Sequence, residues 1–90
     1  MSQPRFSRRA GVETRVLEGA AVLVLPEEHL YFAINRVGAR IWELLAEPRS
    51  LDALTAALRQ QFEVTEAECR QEAEAFLRQL AERNLVQRLS

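Results

Sequence analysis

The sequence has no lysine, one cysteine and one histidine among its 90 residues, and each scarcity removes a class of function. With Cys69 alone, no internal disulfide can form. One cysteine and one distant histidine, His29, do not make a metal site, which needs several converging ligands. Nor do they make a nucleophile with its base. His29 falls in an expected loop and reads as a solvated turn residue. Cys69 shares a helix face with Ala73 and Phe76 and reads as a small buried hydrophobe. The three glycines stand alone at positions 11, 19 and 38, so there is no Gly-rich phosphate loop. No apolar run approaches the ~20 residues that span a bilayer. The opening MSQPRFSRRAGV lacks the apolar stretch of a signal peptide, so a cytoplasmic location is expected. No cofactor, no metal and no enzymatic activity are expected. All twelve basic residues are arginine, a bias that fits a GC-rich genome better than a particular chemistry. The net charge of −1 gives no global pull toward nucleic acid or anionic lipid.

Apolar residues make up 48% of the chain and charged residues 28%, a balance that supports one small globular domain. Residues 1–12 carry Pro4, Gly11, two serines and three arginines and read as a flexible arm; the domain proper is expected over 13–90. Thr14 to Leu17 reads as a weak strand, ended by Glu18-Gly19. Ala21 to Leu25 is a stronger strand, and Pro26-Glu27-Glu28-His29 a four-residue hairpin loop. Leu30 to Ile34 is the third strand of a small antiparallel meander.

From Asn35 the hydrophobic period changes from 2 to 3.6. Asn35 is a suitable N-cap, and Val37, Ile41, Leu44 and Leu45 form one helical stripe. Ser50 caps a second helix with a Leu51, Leu54, Leu58, Phe62 stripe. Thr65-Glu66-Ala67-Glu68 is a capping box that opens a third. Asn84 suits a left-handed cap at its end, and Val86 to Leu89 is either a short closing strand or a frayed end. The expected fold class is α+β and winged-helix-like, with a three-stranded antiparallel sheet followed by three helices.

The stretch Leu30 to Leu45, LYFAINRVGARIWELL, is the most informative. Its strand has no polar side chain between Leu30 and Ile34, so both faces want cover. It also carries none of the charge, proline or bulge that disguises a sheet edge. Two uses follow from such an edge: addition of an extended peptide as an extra strand, or pairing with a second copy of the chain to give a homodimer. A third class, a DNA-binding winged-helix regulator, fits the outline but not the charge. The third helix region holds Glu66, Glu68, Glu72, Glu74 and Glu82 against Arg70, Arg78 and Arg83, and phosphate contact needs the opposite sign.

The strings FAINRVGARIWELL, SLDALTAAL and AFLRQLAERNLV, in this order and spacing, resemble the PqqD-like family over roughly residues 13 to 89. The shared elements are Ile34-Asn35 at the strand end, G-x-x-I-W-x-L-L from Gly38 to Leu45, the Ser-capped Leu helix, and F-L-x-x-L followed by Leu-Val from Phe76 to Val86. The resemblance implies a non-catalytic recognition element, here free-standing, for precursors of ribosomally made, post-translationally modified peptides. Such domains bind the precursor's leader as a strand added against the third strand and third helix. They present it to a partner enzyme of radical-SAM, cyclodehydratase or peptidase type. Carried onto this chain, the peptide-binding strand would be Leu30, Tyr31, Phe32, Ala33 and Ile34. The helix side, chosen from helical spacing, would be Arg70, Ala73, Glu74 and Leu77.

Overall fold

The computed structural model describes residues 4–18 and 20–89. The elements run β1 (Arg5–Arg8), β2 (Glu13–Leu17), β3 (Ala20–Leu25), β4 (Leu30–Asn35), α1 (Arg36–Leu44), β5 (Arg49–Ser50), α2 (Leu51–Gln61), α3 (Glu66–Glu82) and β6 (Val86–Leu89). The class is α+β, with two three-stranded antiparallel sheets where one was expected. The expected meander is the sheet β2-β3-β4. The second sheet has the order β5-β1-β6.

Residues 5–8 fall in the stretch expected to be a flexible arm, and they are instead the middle strand of that second sheet. Arg5 to Arg8 pair with Leu89 to Val86 on one side, and Arg5 and Phe6 with Ser50 and Arg49 on the other. Phe6 packs on the core. Arg8 donates to the Trp42 carbonyl at 3.1 Å, its guanidinium 5.4 Å from the Trp42 ring centre. The backbone N–H of Arg9 donates to the Leu85 carbonyl at 2.8 Å. Residues 1–3 of the expected arm, Gly19 of the expected β2–β3 turn and the terminal Ser90 lie outside the described residues.

Helix starts follow local chemistry. The side-chain oxygens of Asn35, Ser50 and Thr65 accept from the backbone N–H of Gly38, Ala53 and Glu68 at 2.8, 3.1 and 3.1 Å, so each helix begins with an N–H satisfied that would otherwise lack a partner. Between β3 and β4, Pro26–Glu28 forms one tight helical turn, closed by left-handed His29. After α3, Asn84 takes φ 58° and the Leu85 N–H returns to the Leu80 carbonyl at 2.8 Å, turning the chain into β6. One core joins Ala21, Leu23, Leu25 and Ile34 of the first sheet to Ile41, Trp42 and Leu44 of α1, Leu45 just after it, Leu54 and Leu58 of α2, and Cys69, Ala73, Leu77 and Leu80 of α3. Leu85 and Val86 tie the second sheet to it. This core fixes α3 beside the first sheet, and that placement builds the candidate site.

Candidate functional site

In the sheet β2-β3-β4 only β3 is central. β4 pairs with β3 along its whole length, from Leu25↔Leu30 to Ala20↔Asn35. Its other backbone edge has no strand partner among the described residues, and no loop or cap hydrogen bond of the backbone reaches it. Side chains alternate along the strand. Ile34 is buried and Leu30 and Phe32 are half-buried toward the core, while Tyr31 and Ala33 face outward. Tyr31 is 70% exposed, so the outer face is bare despite its apolar sequence. An aromatic there joins exposed Leu17 of β2 among the large apolar side chains left in water.

Beside the open edge runs α3. Phe76 meets Phe32 with ring centres 6.4 Å apart and planes inclined at 51°. About two helical turns further on, the Arg83 guanidinium lies 4.6 Å from the centre of the Phe32 ring. At the other end of β4, Asn35, Val37, Gly38 and Ile41 face Glu72, Ala75, Phe76 and Gln79 across an open cavity of about 330 Å³. Gly38 is needed there. A Cβ at this position would stand 3.1 Å from the tip of the Phe76 ring and 3.2 Å from the Ile34 Cβ, closer than side chains normally pack. Edge strand, aromatic pair and cavity thus adjoin one another between β4 and α3 and outline a candidate groove.

The expected strand residues Leu30, Tyr31, Phe32, Ala33 and Ile34 all lie on β4. The expected helix residues do not join them. Ala73 and Leu77 are buried in the core, and Leu77 borders the depression that also holds Glu74. Arg70 pairs with Asp52 of α2. Glu74 lines a separate surface depression with Phe6, Leu51, Arg78 and Arg88. The helix face that meets the groove is Glu72, Ala75, Phe76, Gln79 and Arg83, which spacing arguments did not select. Its signal in the sequence is an aromatic, Phe76, one position off the core stripe and flanked one turn away by the polar Glu72 and Gln79.

Cys69 is 3% exposed, its thiol 3.8 Å from the Thr55 carbonyl. Burial pushes this thiol above its ordinary value of 9.0; Glu72 adds to the rise and Arg59 opposes it. It is a core residue and takes no part in the groove. Among the described residues no group of His, Cys, Asp or Glu side chains is placed to hold a metal ion, and no helix is long and apolar enough to cross a membrane.

The family model for Coenzyme PQQ synthesis protein D (PqqD) matches residues 20–86. The chain is similar to the solved structure of TbiB1 in complex with the TbiA(beta) leader peptide. The two are 26% identical, with a TM-score of 0.78, over 90% of this chain and 94% of that one. It is also similar in fold to a lasso peptide synthetase B1 complexed with the leader peptide, at 20% identity and a TM-score of 0.77, over 91% of this chain and 96% of that one. No curated protein matches it.

Proposed function

We propose that this chain, which belongs to the PqqD family, binds the leader segment of a precursor peptide and presents it to a modifying enzyme or leader peptidase. The leader adds as a strand to the open edge of β4, over the α3 face formed by Glu72, Ala75, Phe76, Gln79 and Arg83. The observation that carries this reading is the free edge of β4 with an aromatic-lined groove alongside it. Backbone hydrogen bonds along the edge set the register, each contributing about 0.5–1.5 kcal/mol. Side chains entering the cavity beside Gly38 and Phe76 supply selectivity. The protein acts by holding and orienting its peptide, with no chemical step of its own. TbiB1, similar over nearly its whole length, has been solved with a leader peptide bound.

A calorimetric titration with a synthetic leader from the short reading frame nearest the gene tests this. Micromolar or tighter affinity, roughly 8 kcal/mol, is expected. No heat and no change in β4 resonances at saturating peptide would overturn it.

The same free edge favours a second reading, a homodimer in which two β4 strands pair. Light scattering across a wide concentration range separates the two. A mass that stays monomeric leaves the edge to a peptide; a dimer that the leader fails to dissociate assigns the edge to the second copy.

A further inference from the structure

We propose that Arg83 is a specificity-determining residue that selects an acidic side chain in the bound peptide, at the end of the groove beside Leu30–Phe32. The inference rests on the leader-binding reading above and adds the chemistry of the ligand to it. Arg83 follows α3 directly, where the left-handed turn at Asn84 fixes the chain direction. Its guanidinium lies over Phe32 of the edge strand, and one of its nitrogens donates to the Gln79 carbonyl at 3.3 Å. The exposed group is thus oriented by two contacts, with N–H donors to spare. It forms none of the ion pairs found among the described residues. A planar guanidinium without a carboxylate partner among the described residues, stacked on a side chain of the edge strand, is suited to receive one.

The opposite end of the same face has the opposite sign. Glu72 is exposed, lines the cavity and makes no ion pair among the described residues. It stands about 16 Å from Arg83 along the helix, the length of roughly five residues of extended strand. An acidic side chain is welcome at one end and repelled at the other. Both pairings in this sheet are antiparallel. A peptide that continues the pattern runs opposite to β4, so its C-terminal part faces Leu30–Phe32. The selected acid belongs in that part.

The test is selection from a displayed library of random peptides about twelve residues long, on the wild-type protein and on Arg83→Met and Arg83→Glu. Binders are kept if they protect β4 amides from hydrogen exchange. Wild type should enrich Asp or Glu at one position in the C-terminal half. Arg83→Met should lose that preference while still binding, and Arg83→Glu should replace it with Lys or Arg. In a wild-type binder, changing the acid to Ala should weaken affinity about threefold to tenfold, with the difference shrinking as salt is raised. β4-protecting binders without an acid preference, or a preference that survives in Arg83→Met, would overturn the role of Arg83 and leave leader binding intact. A library that yields no β4-protecting binder overturns both.

Discussion

Gly38 shows how one residue couples fold to groove. It lies in α1, where glycine is normally a poor choice, yet Phe76 and Ile34 leave no room for a branched side chain. Gly38→Val should lower stability by about 1–3 kcal/mol through overpacking and narrow the cavity at the end of β4. Urea unfolding measures the first effect, and an unchanged midpoint would mean that Phe76 moves aside freely. Cys69 offers a pH test. Its folded pKa lies above the unfolded value, so the neutral thiol contributes stability that is complete below the ordinary value of 9.0 and drains away as pH rises toward the folded pKa. Any advantage of wild type over Cys69→Ala should shrink in the pH window that opens at 9.0 and runs upward to the raised folded pKa. A constant difference in unfolding free energy across that window would contradict the burial argument.

At the scale of elements, β1 carries the second sheet. It is the strand between β5 and β6, and Phe6 and Arg8 anchor it to the core and to α1. Phe6→Ala should cost about 1–2 kcal/mol, roughly 5–15 °C in Tm for a chain of this size. Removing residues 1–8 should cost more, because β5 and β6 lose their common partner. Thermal unfolding with the same Tm as wild type would return the segment to a mobile arm. This element was hidden in the sequence because R-F-S-R offers a single apolar residue and pairs only with distant segments. The helix starts at Asn35, Ser50 and Thr65 were legible because capping is local: the cap and the N–H it satisfies are three residues apart. The edge position of β4 was legible too, since an apolar run with no edge disguise states its own problem. The helix side was not. Ala73 and Leu77 repeat at a spacing that serves a core and a groove equally well, and only the docking of α3 decides between them.

At the scale of the molecule, both sheets and all three helices share one core, and that core sets a helix face against a strand edge without closing over it. Consecutive residues of a strand send their N–H groups to opposite edges. In the free protein, half of the β4 amides point to β3 and the other half meet no strand among the described residues. The measurement that tests leader binding by strand addition most directly is residue-resolved amide hydrogen exchange of residues 30–35, free and saturated with a bound leader. Protection gained at every second residue of β4, with β2 unchanged, is the expected result. Saturation with no gain in β4, or gains confined to the sheet β5-β1-β6, would contradict it.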